Sequence, residues 1–462
     1  MLIDRITDAR LVGPTPTDGR AAERRHDIGR RHDVVLGGGT VLAVRPTGAA
    51  QPGEAVGPGG VEPGDAVRPA GARRPAGTTL PVQGRVVAPA FVDAHVHLDK
   101  AYLSAAVAAA PAGTPYAVAG RSPEPSGPRL DAAIAEVGRL RETVPIERIH
   151  AGAALAIDTL VRHGTVAARV HVEIDPVAGL DLVTFHQALT ASVADRCEVQ
   201  LVAFPQRGLE RPGTRELMAA AMAEGLDVVG GCPYVDQDPI AHLDAVFALA
   251  ERHGRPVDLH LDFHDEPGRS LIEAVAERTR AHGMAGRVTI GHVTTLAAMA
   301  PTAQASALDL LADAGIALVV LPATDLYLGG HGEPGTRSLA PVDRAIQAGV
   351  RVAIANNNLA NPFAPFGNGN LLQAAWLAGI TRRMADDDQP GGLLAAVTTT
   401  PAAILGLPEH GPQPGRAAHL AVLDTADPAS VPLGAPAVLA TLRAGRLVHR
   451  VTVPEPVGGA GP

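Results

Sequence analysis

Two histidines separated by one residue, His95 and His97, close the apolar run Arg85-Val-Val-Ala-Pro-Ala-Phe-Val-Asp-Ala94. In an extended strand alternate side chains share a face, so both imidazoles point the same way and can grip one divalent cation. Two more histidines, His260 and His292, end the apolar runs Pro256 to His260 and Val288 to His292. A lone histidine is more often a core or surface residue than a ligand. Four of them at equivalent strand ends point to one shared divalent metal. Their nitrogen donors suit zinc, iron or another late divalent ion, and the sequence does not choose among these.

The elements that must hold these side chains follow from the hydrophobic period. From Val86 onward, strands alternate with amphipathic helices. In one unit Ile149, Ala153, Ile157 and Leu160 fall on one helical face, Gly164 stops the helix, and Val166-Ala-Ala-Arg-Val-His-Val172 follows as a strand. Further buried strands are predicted for Cys197 to Phe204, Leu226 to Gly230, Ile316 to Leu321 and Val350 to Ala355, with helices near 214–224, 240–252, 270–281 and 306–314. With the strand ahead of His95 the tally is eight, which is that of an α/β protein built as a (β/α)8 TIM barrel. An open doubly wound sheet would want a Gly-rich phosphate loop after its first strand, and none is present. His95 and His97 then end strand one, His260 strand five and His292 strand six. Those carboxyl ends are where barrel side chains converge.

Outside the barrel, 86–408, short strand-like pieces occur at both chain ends. Residues 1–85 and 409–462 are expected to pair as one small composite β-sandwich domain. A Pro-, Gly- and Ala-dense stretch at 46–79 interrupts it and reads as a disordered insertion. A net charge of −9, from 39 Lys and Arg against 48 Asp and Glu, argues against a nucleic-acid partner, which would need a basic stripe. With only Cys197 and Cys232 there is no disulfide framework, and a reducing compartment fits. The start Met-Leu-Ile-Asp-Arg-Ile carries acids and no apolar h-region, and no apolar run reaches membrane-spanning length. A cytoplasmic protein with a small-molecule substrate, no membrane partner and a possible homo-oligomeric state is the expectation.

The segment Phe91-Val-Asp-Ala-His-Val-His-Leu-Asp-Lys100 resembles the strand-one motif of the amidohydrolase superfamily, in its cytosine deaminase-like branch. Ala203-Phe-Pro-Gln206, Asp227-Val-Val-Gly230, Val257-Asp-Leu-His-Leu-Asp262 and Asn361-Pro-Phe-Ala-Pro-Phe-Gly367 agree with it. The resemblance implies that His95, His97 and His260 are metal ligands. His292 would ligate the metal or polarise water and substrate. Gln206 would hydrogen-bond a heterocyclic ring, and Asn358 is a second candidate substrate contact.

Two positions depart from that pattern. Where a cytosine deaminase carries a proton-shuttling glutamate three residues after the strand-five histidine, this chain has Phe263. Where strand eight should supply an aspartate, the run Ala355-Asn-Asn-Asn358 places Asn357 at the metal. Metal-assisted hydrolysis needs a cation to acidify a water and a base to collect its proton. An asparagine oxygen can face a metal but cannot take the proton. His264 is the candidate replacement base, because strand alternation gives it the face of His260 if the strand stays extended past Leu261. Asp99 reads as a carboxylate orienting an imidazole, and Lys100 as a solvated rim cation or an anchor for an anionic substrate. Asp325 and Tyr327 follow strand seven, and Cys232 and Tyr234 follow strand four, in loops where the resemblance places substrate contacts and which read equally well as ordinary loop; Gly329-Gly330-His331-Gly332 reads as a flexible segment that could form a lid.

The resulting expectation is a metal-dependent hydrolase cleaving a C–N bond of a small cyclic amide, amidine or amino-heterocycle. The alternative is a non-catalytic ligand-binding or regulatory homologue that has lost its acid/base carboxylates.

Overall fold

The computed structural model describes residues 1–13, 30–48, 78–104, 130–330, 337–386 and 389–451. Most of the expected insertion, 49–77, lies outside these residues, as do His331 and Gly332 of the expected lid.

Eight parallel strands run in chain order around the barrel: β6 (Phe91–Val96), β7 (Thr165–Glu173), β8 (Glu198–Phe204), β9 (Val228–Gly231), β10 (Val257–Leu261), β11 (Val288–His292), β12 (Ala317–Val320) and β13 (Val352–Ile354). Each pairs in parallel with the next. The first and last meet through a single parallel bridge between Val96 and Asn357. Two bonds flank it: Asn357 donates its N–H to the His95 carbonyl at 2.9 Å, and His97 donates to the Asn357 carbonyl at 2.8 Å. The seven later predicted strands therefore form, each within two residues of its expected position at either end, while the apolar run ahead of His95 is split between Val86–Pro89 in the second sheet and Phe91–Val96 in the barrel. They read as near-continuous apolar runs because every residue of β6, β7, β10 and β11 is buried, with helices outside and side chains filling the interior.

Helix Ile146–Arg162 shows how the sequence sets one unit. Its buried face carries Ile149, Ala153, Ile157 and Leu160. Gly164 then turns the chain into β7 at φ 91°, and a side chain there would meet the Phe91 ring at 2.8 Å. Only glycine satisfies both demands. Helix Pro239–His253 starts on Asp238, whose carboxylate accepts from the Ile240 and Ala241 amides, and stops at Gly254.

The chain ends build a second sheet from β1 (Arg5–Leu11), β2 (His32–Gly37), β3 (Thr40–Pro46), β4 (Thr79–Pro81), β5 (Val86–Pro89), β14 (Leu420–Leu423), β15 (Val438–Arg443) and β16 (Arg446–Arg450). Strand β1 belongs to both halves: Arg5 to Thr7 pair with β4, and Arg10 and Leu11 pair with β5. A register irregularity between Ile6 and Ala9, with Asp8 at φ 58°, bends the strand between them. Ile6, Val34 and Val41 from one half share a core with Val87, Leu420 and Leu442 from the other.

Candidate metal and active site

Strand pleating brings His95 and His97 to one side, as their spacing requires, and the barrel's convergence brings His260 and His292 to meet them. The His260 Nε2 lies 3.1 Å from the Nε2 of His95 and 3.1 Å from that of His97. Nitrogens of His95, His260 and His292 all fall within 4.8 Å of one another. All four side chains are buried. Burial pushes His95, His97 and His260 well below the ordinary imidazole range. Neighbouring positive charge adds to this, from His171 on His95, Lys100 on His97 and His95 on His260. Neutral imidazoles with free lone pairs at neutral pH are what a metal requires. Packed imidazole nitrogens at 3.1 Å also match neighbouring ligands that each sit about 2.0–2.1 Å from a shared ion.

The strand-eight end completes this donor set. Asn357 is 1% exposed, and its Oδ1 is buried with no hydrogen-bond partner among the described residues. Its φ of 61° is a left-handed conformation that asparagine tolerates better than most residues. Asn357 and Asn358 line a small pocket together with His97, Gln206, His260, Phe263 and His292. The Asn358 Oδ1 accepts from the Asn361 side chain at 2.8 Å. The donor set therefore fits a divalent cation.

The end of strand five departs from the sequence expectation. His264 does not share the face of His260. Strand β10 ends at Leu261, and Asp262 turns to φ 48°, which breaks the alternation. The Asp262 carboxylate is buried and accepts from the Ser270 hydroxyl at 2.7 Å and the Leu271 amide at 3.0 Å. His264 sits with Glu266 and Arg269 in a neighbouring rim pocket, its Nδ1 accepting from the Glu266 amide. Phe263 faces the site instead, its ring stacked on His292 at 4.5 Å. The residue that sequence reasoning passed over is Asp325. It lies in a helix, Pro322–Leu328, and not in a loop. Its Oδ1 is 2.6 Å from the His292 Nδ1, while its Oδ2 accepts from the Leu321 amide. Burial holds the Asp325 carboxyl above its usual range, opposed by the His292 charge. This pairing fixes the imidazole's orientation and leaves its other nitrogen toward the cluster.

Two further expectations are corrected. Asp99 does not orient an imidazole: it accepts from Arg141 at 2.5 Å and from the Glu173 amide at 3.0 Å. Lys100 is not solvated, being 1% exposed. Its Nζ donates to the Gln206 Oε1 at 3.0 Å and lies 3.6 Å from the Glu173 carboxylate.

Beneath the cluster lies a polar layer the sequence reading left unassigned. His171 stacks on His95 with ring centroids 3.8 Å apart and lies 3.3 Å from the Asp258 carboxylate, which Arg169 holds at 2.8 Å. The signal was available. Arg169, His171 and Glu173 alternate along a strand that is otherwise apolar, so all three must face the barrel interior.

The sequence model of the amidohydrolase family matches residues 126–449. The chain belongs to the amidohydrolase family. It is 26% identical over 386 residues to N-isopropylammelide isopropyl amidohydrolase of Pseudomonas sp. (strain ADP), covering 80% of this chain and 87% of that protein. It is 27% identical over 333 residues to pterin deaminase of Rhizobium rhizogenes, covering 71% and 72%. The crystal structure of 5-methylcytosine deaminase from Klebsiella pneumoniae liganded with phosphonocytosine superposes with a TM-score of 0.78 at 26% identity, covering 98% of this chain and all of that one. No helix among the described residues is long and apolar enough to cross a membrane.

Proposed function

We propose that this amidohydrolase cleaves an exocyclic C–N bond of a small nitrogen heterocycle. One water is consumed, a C–O bond replaces the C–N bond, and ammonia or an amine departs. The observation that carries the reading is the buried meeting of the His260 Nε2 with those of His95 and His97 at 3.1 Å each. In this reading His95, His97 and His260, with the Asn357 Oδ1, hold one divalent ion, zinc or iron. When bound, that ion acidifies a water and polarises the carbon under attack.

The remaining work falls to the chain. With no carboxylate at positions 263 and 357, His292 takes the proton of the attacking water and passes it to the departing nitrogen, while the buried Asp325 carboxylate stabilises the imidazolium in between, as the aspartate of a catalytic triad does. Phe263, stacked on His292, keeps bulk water from that imidazole. Gln206 and Asn358 contact the ring. The pairing of His292 with Asp325 favours catalysis over the alternative of a binding homologue, because it supplies proton handling that the replaced carboxylates do not.

The test is release of ammonia or amine from a panel of aminopyrimidines, aminotriazines and pterins, alongside metal analysis. We expect about one divalent ion per chain, with turnover lost on chelation and in His97→Ala. Stoichiometric metal with no turnover across the panel would favour the binding homologue. A protein that takes up no divalent ion would end both readings.

A further inference from the structure

Lys100 and Gln206 meet where the pocket wall joins a buried charge network. A glutamine amide has two ends of nearly equal shape and opposite hydrogen-bonding character, so a freely turning Gln206 would accept or donate as a ligand demanded. Here it does not turn freely. The Lys100 Nζ sits 3.0 Å from its Oε1, and an ammonium can only donate. Lys100 is fixed in turn. It is 1% exposed, 3.6 Å from the Glu173 carboxylate, and its Nζ lies 5.7 Å and 5.2 Å from the ring centres of Phe204 and Phe363. Arg141 reaches Glu173 at 2.9 Å and Asp99 at 2.5 Å, so two cations face two carboxylates, and Asp99 and Glu173 oppose the lowering that burial imposes on the Lys100 ammonium. The opposite end of the planar amide, Nε2, makes no hydrogen bond among the described residues, while Gln206 lines the pocket beside His97 and His260.

We propose that Lys100 is a positioning residue for substrate selection: it locks Gln206 with Nε2 toward the pocket, so the site takes heterocycles presenting an acceptor there. That acceptor is an exocyclic carbonyl oxygen, and rings presenting an amino group in its place are rejected. A donor opposite a donor leaves both buried N–H groups unpaired. The inference rests on the heterocycle-hydrolase reading and names what that site prefers.

The experiment is calorimetric binding of 2-pyrimidinone and 2-aminopyrimidine, rings of one size differing in acceptor against donor, to the metal-loaded full-length protein. The wild type is expected to bind 2-pyrimidinone roughly tenfold or more tightly. The double variant Lys100→Met with Glu173→Gln keeps the buried charges balanced and should shrink that preference to about threefold or less. Gln206→Glu, with Lys100 retained, offers only acceptors and should invert the order. A wild type that prefers 2-aminopyrimidine, or variants that fold and keep the wild-type ratio, overturns the inference and leaves the hydrolase reading standing. A metal-loaded wild type that binds neither ring overturns the heterocycle reading and the inference with it.

Discussion

Two buried clusters lie side by side at the barrel mouth, and they are built in opposite ways. Around Lys100 the charges are complete: Lys100 and Arg141 are matched by Asp99 and Glu173. Around His260 the donors outnumber their partners. The Nδ1 atoms of His95, His97 and His260 and the Oδ1 of Asn357 are buried without hydrogen bonds among the described residues, and three Nε2 atoms crowd together. The Lys100 network also holds buried atoms without hydrogen bonds, Asp99 Oδ1, Arg141 Nε and Glu173 Oε2, so unpaired atoms alone do not tell the two clusters apart. Balanced charge distinguishes the first cluster, and the convergence of imidazole nitrogens on one point distinguishes the second.

The largest effect expected from breaking this contrast is Arg141→Met. It strands two carboxylates on one lysine, and removing a partner from a buried ion pair costs about 3–5 kcal/mol. Urea unfolding of the variant should show that loss with metal content unchanged. A stability within about 1 kcal/mol of wild type would mean the network is not structural. Next comes Asp325→Asn, which keeps the shape but removes the charge that supports a protonated His292. Steady-state kinetics should give a kcat lower by about a hundredfold with KM little moved. An unaltered kcat would remove Asp325 from the mechanism.

Gly291→Ala probes the packing of the imidazoles. A side chain there would meet the His95 ring at 3.3 Å, so His95 must tilt. Chelator competition should show metal affinity reduced about tenfold; undiminished affinity would show that the ring has room to move. The smallest effect tests how dry the surrounding wall is. Burial pushes the Cys197 and Cys232 thiols up to about 12, so the reactive thiolate forms only as pH approaches that value. At about pH 8 mass spectrometry should find both unalkylated by iodoacetamide in the native protein and both labelled in urea. Native labelling would mean the wall opens to solvent.

Much of this was legible in the sequence, because two periods carried it. The 3.6 repeat of Ile149, Ala153, Ile157 and Leu160, and the continuous apolar runs that became β8, β10 and β11, fixed an alternating barrel. The His-x-His pair and two strand-end histidines then placed the cluster. What escaped depended on single backbone rotations or on long-range meetings. His264 left the face of His260 because Asp262 adopts a left-handed φ, and nothing in the run Leu261-Asp-Phe-His264 announces that turn. Asp325 met His292 across 33 residues, with no motif joining them. Lys100 was expected in water because lysine rarely goes inside unpaired. Its partners Glu173 and Gln206 lie on other strands' ends, 73 and 106 residues on, beyond the reach of any local pattern.

The bridge between Val96 and Asn357 has one more implication. The barrel's seam is sewn by a single backbone stitch whose two sides also carry the donors at His95, His97 and Asn357. An ion held on those donors, as proposed, would tie the first strand to the last and reinforce a closure the backbone already makes. Holding the cation at about a hundred times its dissociation constant adds roughly 2.7 kcal/mol to the folded state. Much of that gain should be felt at the seam, where hydrogen exchange of the His97 and Asn357 amides should slow most on loading.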